Sequence, residues 1–237
     1  MSIKVRWASV GLAATSILFL AACRAEPQEP RFPEADRPVA AIVSDSFSTE
    51  DARDRLGEAE EVMAFAGVTP GMSIADIGAG EGYYTVRLSP IVGPAGRVLA
   101  QDIVPATRDK LAQRVDRDKL DNVSVRLGRP DNPRIPAASF DRIFLVHMYH
   151  EVSAPYAFLW HLRAGLKPGG EIIVVDADRD VRQHGMPRPQ LACEFAALGL
   201  QQVRIATLTS STNYAAAFRI ARPRPKPEAI KSCGSKN

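Results

Sequence analysis

Ile74-Ala75-Asp76-Ile77-Gly78-Ala79-Gly80-Glu81-Gly82 decides how this chain folds. A short apolar run closes on an acid, breaks into glycines at alternate positions, and enters Tyr83-Tyr84-Thr85-Val86-Arg87-Leu88, which reads as helix. Strand, tight turn, helix is the order in which an α/β sheet offers a strand end to a nucleotide-like ligand. Glycine is needed there because a Cβ would hold the ligand away from the backbone and because such bends demand unusual φ/ψ. The spacing is G-x-G-x-G. A dinucleotide fingerprint, G-x-G-x-x-G, would require glycine at position 83, where the chain has Tyr83.

The same alternation continues downstream. Strands are expected at 72–77, 97–102, 123–127, 140–146 and 171–176, with helices at 49–65, 105–118, 154–166 and 190–198. Ser48 is the expected N-cap of the first helix. Two further strands, 202–208 and 214–221, are joined by Thr209-Ser210-Ser211-Thr212-Asn213, too short for a helical crossover, so they should pair antiparallel. The expected fold is α/β: a doubly wound, mostly parallel seven-stranded sheet with one antiparallel strand near the C-terminus and helices on both faces.

The glycine bend after an acidic strand end resembles the first motif of class I S-adenosylmethionine (SAM)-dependent methyltransferases. Gly128-Arg129-Pro130-Asp131-Asn132-Pro133-Arg134-Ile135-Pro136, Ser139-Phe140-Asp141 and Leu166-Lys167-Pro168-Gly169-Gly170 resemble later family segments, so the resemblance runs from about Arg53 to Ala221. It implies a SAM-dependent methyltransferase acting on a small-molecule acceptor, with SAM held by Asp76, Gly78, Gly80, Gly82, Asp102 and Asp131. Asp102 ends the second strand, where it can accept hydrogen bonds from both ribose hydroxyls. Asp131 would accept the adenine amino group. Asp76 would orient the glycine bend or receive the methionyl ammonium. Arg53 and Arg55 are candidates for the SAM carboxylate, and Tyr83 and Tyr84 for a pocket wall.

The fourth strand ends in Val146-His147-Met148-Tyr149-His150-Glu151-Val152, the position near the sulfonium methyl in many methyltransferases. Methyl transfer is an in-line displacement that depends mainly on alignment, and a base is needed only if the nucleophile must lose a proton. His150 is the first candidate for that base, since imidazole titrates close to neutral pH; Tyr149 and Glu151 follow. No metal is expected. His147-x-x-His150-Glu151 lacks the helical four-residue spacing of H-E-x-x-H, and no third ligand is obvious; His184, in a loop at 178–189 read as substrate-side, is only a candidate.

Residues 1–22 carry Lys4 and Arg6, no acid, and an apolar run ending in Leu20-Ala21-Ala22-Cys23. This is the layout of a secretory signal, and the cysteine after Leu-Ala-Ala resembles a bacterial lipobox. The expected product is lipidated at Cys23 and held on the periplasmic side of a membrane, or cytoplasmic if the signal is not used. Without the two cations of residues 1–22 the formal charge falls from +3 to about +1, which gives no reason to expect a nucleic-acid partner. Residues 23–45, rich in proline and charge, read as a disordered tether; 46–222 as the methyltransferase domain; 223–237 as a disordered basic tail. Cys193, in an apolar helical pattern, and Cys233, in the tail, make no disulfide framework, and their spacing cannot establish a bridge. SAM is made and used in the cytoplasm, so an export signal also admits a non-catalytic binding lipoprotein that keeps the fold. A nicotinamide-dependent oxidoreductase is disfavoured by Tyr83 and the reversed terminal strand.

Overall fold

The computed structural model describes residues 1–2, 30–42, 50–209 and 211–234. Residues 3–22 of the signal-like segment, Cys23 and the expected cap Ser48 lie outside the described residues. Element order is α1 (Glu50–Leu56), α2 (Glu58–Phe65), β1 (Ser73–Ile77), α3 (Tyr83–Val92), β2 (Arg97–Asp102), α4 (Pro105–Arg117), β3 (Val123–Leu127), β4 (Phe140–Val146), α5 (Pro155–Leu162), β5 (Leu166–Ala177), α6 (Arg188–Ala197), β6 (Leu200–Thr207) and β7 (Asn213–Ile220). The first expected helix is two, because Gly57 takes a left-handed φ of 68° between α1 and α2.

The seven strands form one sheet in the order β3-β2-β1-β4-β5-β7-β6. β1, β2, β3, β4 and β5 pair in parallel, and β7 runs antiparallel to both β5 and β6. The central strands are buried on both faces, which is why they read as continuous apolar runs. Successive residues of β5 serve opposite cores. Ile172 and Val174 pack with Phe158 and Leu162 of α5 and Leu191 and Phe195 of α6, whereas Ile173 and Val175 pack with Val62 of α2 and Leu88 of α3. Glu171 interrupts this run as a fully buried carboxylate. Arg219 and Arg204, at 2.6 and 2.7 Å, compensate its charge.

Two family-like segments meet at the end of the sheet away from the glycine bend: Asp141 accepts from Lys167 Nζ at 2.7 Å and from the Ser73 amide at 2.8 Å. They close the bottom of the sheet.

Of the two segments expected to be disordered, the described residues 31–42 and 223–234 lie against the domain. Residues 31–42 are docked. Phe32 packs edge-on against Trp160, and Arg37 pairs with the fully buried Glu194 at 2.8 Å. The same guanidinium donates to the carbonyls of Tyr149, His150 and Val152, while the Ala40 amide donates to the His150 carbonyl. The tail returns over α5: Trp160 donates to the Pro225 carbonyl, Arg224 stacks on Trp160 at 3.8 Å, and Ile230 is buried. A Cys193–Cys233 disulfide, closing a 40-residue separation, ties the tail to α6. Proline and charge made both segments look solvated. Each is held by a few long-range contacts that local composition does not encode.

Candidate functional site

The carboxyl ends of β1, β2, β4 and β5 open onto one cleft of about 470 Å3, within the range usual for small-molecule sites. Gly78, Gly80 and Gly82 all have positive φ, at 68°, 57° and 92°. Gly78 and Gly80 line the cleft, and a Cβ on Gly78 would stand 2.9 Å from Met148 Cγ. Gly82 has a different duty. It opens α3, away from the cleft wall, where a Cβ would stand 2.5 Å from Leu111 of α4. One of the three expected ligand glycines is thus a packing glycine.

Asp102 lies in the cleft wall at the end of β2. Its Oδ2 accepts the Gly80 amide at 3.0 Å and its Oδ1 the Val104 amide at 2.9 Å, fixing the bend to the strand. Each carboxylate oxygen keeps a lone pair for a further donor. Beside it, the Gln101 Nε2 is buried with no partner among the described residues. A Cβ on Gly128 would stand 1.6 Å from this nitrogen, so the Gln101 amide packs against the bare segment after β3. A bare bend, a carboxylate with spare acceptors and an unsatisfied buried donor in one cleft fit a ligand that offers hydroxyl donors and at least one acceptor.

Asp76 does not line the cleft. Its Oδ2 accepts the Thr85 hydroxyl at 2.6 Å, tying the end of β1 to the first turn of α3 across the glycine bend. Burial pushes this carboxyl up to about 6, against the pull of the Thr85 hydroxyl. Its geometry suits the loop-orienting half of the expectation. Asp131 also stands outside the wall, exposed to solvent, although Arg129 and Pro130 are in it. A tight reversal, Arg129 and Asn132 bonded to each other's backbone, puts Pro130 and Asp131 at its corner and turns the acid outward.

After β4 the chain bends sharply at His147, whose φ is 52°, and makes a single 3₁₀ turn over Tyr149–Glu151. Neighbouring side chains therefore diverge. Tyr149 goes inward, fully buried, its hydroxyl donating to Glu194 at 2.6 Å, so it leaves the set of cleft residues. His150 goes to the cleft. Its Nδ1 sits 2.9 Å from Oδ2 of the fully buried Asp176, which fixes the ring in the cleft wall. Glu151 lines the same wall, as does His184, whose ring stands edge-on to His150 at 5.6 Å.

The opposite wall comes from α1 and α2. Arg53 lines it and lies 3.7 Å over the Tyr83 ring, whereas Arg55 is not in the wall. Tyr83 lines the cleft and Tyr84 is buried behind it. Glu58 is the hub of this wall, receiving His147 Nε2, Asn213 Nδ2 and the Tyr84 hydroxyl at 3.1 to 3.2 Å. Burial alone would raise its carboxyl, but the His147 and Asn213 bonds and the Arg53 charge bring it down to about 2.

Glu58, Gln101 and Asp176 were not singled out in the sequence. Asp176 carried a signal, as an acid ending a parallel strand at the ligand edge. Glu58 carried none, since it sits among Glu60 and Glu61 on one short helix and only packing selects which acid turns inward.

Residues 74–170, which supply the glycine bend and β2 to β4, match a family model described as a methyltransferase domain. A ubiquinone/menaquinone biosynthesis C-methyltransferase from Hahella chejuensis is 27% identical over 171 residues, covering 70% of this chain and 66% of its own length. A protein-L-isoaspartate O-methyltransferase from Methanopyrus kandleri is 29% identical over 155 residues, 58% of this chain and 66% of its own. The chain spans about half to two thirds of the length of the curated relatives it matches. Among solved structures, a SAM-dependent methyltransferase from Aquifex aeolicus aligns over 73% of this chain and 99% of its own, with a TM-score of 0.63 at 22% identity, a likeness of fold. The matched residues 74–170 carry the glycine bend and the ends of β2 and β4 that frame much of the cleft, and over them the chain is similar to methyltransferase domains.

Proposed function

We propose that this protein transfers the methyl group of SAM to a small-molecule acceptor entering the cleft on its His150 side. The observation that carries the reading is that the bare Gly78–Gly80 backbone and the Asp102 carboxylate open into the same cavity. Asp102 would take the ribose hydroxyls and Gln101 Nε2 would find its missing partner on the purine. Arg53, above Tyr83, would meet the carboxylate of the methionine arm. The sulfonium methyl would then face the wall formed by His150 and Glu151. For an acceptor that must lose a proton, His150 Nε2 is the group in position to receive it, with Asp176 holding the ring. The two relatives are named for methylation of oxygen and of carbon, so they do not select the acceptor atom.

The test is transfer of label from methyl-labelled SAM into a small-molecule extract. Wild type should yield a labelled product and S-adenosylhomocysteine, and Asp102→Ala should lose at least ten-fold in rate, because hydrogen bonds to a charged group contribute about 1.5–3 kcal/mol each. SAM binding with no labelled product from any extract would favour the non-catalytic alternative.

The N-terminal expectation enters here as a proposal: lipidation at Cys23 and residence on the periplasmic side. Support comes from the Cys193–Cys233 disulfide, since such bonds persist in oxidising compartments. Cys23→Ser should move the protein out of the membrane fraction with a change in apparent mass. Retention in the membrane at the original mass would contradict lipidation.

A further inference from the structure

We infer that the acceptor side of the cleft holds a divalent transition-metal ion, bound by His150, Glu151 and His184. The three ligand atoms lie within 4.8 Å of one another and all three residues line the cleft. A tetrahedral zinc needs donor atoms roughly 3.4 Å apart, given Zn–N near 2.0–2.1 Å, so small side-chain rotations complete the site. Two imidazoles and one carboxylate suit zinc or ferrous iron, and disfavour calcium and magnesium, which prefer all-oxygen shells.

An independent feature supports the assignment. Asp176 grips His150 Nδ1 at 2.9 Å and is itself fully buried, its Oδ1 also accepting the Ala177 amide at 2.8 Å. A carboxylate behind a histidine is the outer-shell arrangement that fixes a ligating ring's tautomer and raises its basicity. The docked 31–42 segment secures the same turn, through the bonds of Arg37 and Ala40 to the 149–152 carbonyls. His184 reaches the cluster from the loop after β5, so the third ligand is 33 residues from Glu151 and hidden from local spacing.

Three protein ligands leave the remaining coordination positions facing the cavity, as in catalytic rather than structural zinc sites. The inference rests on the methyl-transfer reading only for what the ion does there. It would bind an acceptor hydroxyl and acidify it, the proton passing to solvent. The bound oxygen would then attack the sulfonium methyl, the C–S bond would break, and S-adenosylhomocysteine would leave. With the ion in place the His150 Nε2 lone pair is committed to it, and the proton-accepting role belongs to the metal-free protein. The acceptor class is an oxygen donor able to chelate or ligate the ion, such as a phenol or hydroxy acid.

The experiment titrates tag-free protein, stripped with chelator, with zinc by calorimetry and with Co2+ by visible absorption. The chain has four histidines, which keeps the background small. Expected is one ion per chain, with affinity reduced at least 100-fold in His184→Ala and in Glu151→Gln, 10–100-fold in Asp176→Asn, and unchanged in His147→Ala and His161→Ala. Circular dichroism of the same variants confirms that they are folded. No stoichiometric ion in wild type, or His184→Ala and Glu151→Gln binding as wild type does, would overturn the site. SAM binding measured on the same samples separates the two ideas: SAM without metal ends this inference alone, and metal without SAM ends the methyltransferase reading alone.

Discussion

Asp76 shows how one side chain can be placed for the bend it organises at a cost in stability. Its carboxyl is fully buried against Thr85, and that burial moves its titration up to about 6 from an ordinary 3.8. A folded-state pKa raised in this way favours the protonated form. The stabilisation is complete below the unfolded value and is lost as pH rises through about 6. Asp76→Asn, which keeps an acceptor for Thr85, should therefore gain on wild type between pH 4 and pH 7, by on the order of 3 kcal/mol in chemical denaturation. A difference independent of pH would contradict the assignment. The placement of Gly78, Gly80, Asp102 and His150 on the cleft is legible because strand ends bring them to the carboxyl edge of the sheet by topology alone. Asp131 and Tyr149 stand outside the cleft wall for a shared reason. Each lies in an irregular turn, where one residue of shift reverses which way a side chain points.

Among the elements, β2 and β4 are readable to the residue, since apolar runs bounded by turns leave little freedom in the buried middle of the sheet, whereas β5 begins at Leu166, five residues before the expected 171. The long first helix was not, because the sequence does not tell that Gly57 is used with positive φ. The docked 31–42 segment and the tail were the largest surprise. Arg37 and Glu194 are 157 residues apart, and no local pattern announces their pairing. Arg37→Ala would leave the Glu194 charge buried, a loss of about 3–5 kcal/mol for a broken buried pair. Cys193→Ser would release the tail, at about 2–4 kcal/mol for a typical disulfide. Each should lower the Tm by on the order of 10 °C in a domain of this size, read by calorimetry with wild type as reference. Unchanged melting in both would mean that these segments are the loose extensions their composition suggests.

For the molecule as a whole, strand order does the functional work. With β1 and β4 adjacent, the glycine bend and the His147–Glu151 turn emerge side by side. With β2 beyond β1 and β5 beyond β4, Asp102 and Asp176 flank them, the first beside the bend and the second behind His150. The glycine bend and the His150 wall thus share one cavity, and at the sheet's other end Asp141 pairs with Lys167. The most direct measurement is titration calorimetry of the purified protein with SAM, S-adenosylhomocysteine and NAD. Expected is micromolar, one-to-one binding of both adenosyl sulfur compounds, none of NAD, and loss of the signal in Gly80→Val, whose side chain would occupy the bend. Absence of heat with SAM and S-adenosylhomocysteine in a folded protein, or binding indifferent to Gly80→Val, would contradict the account.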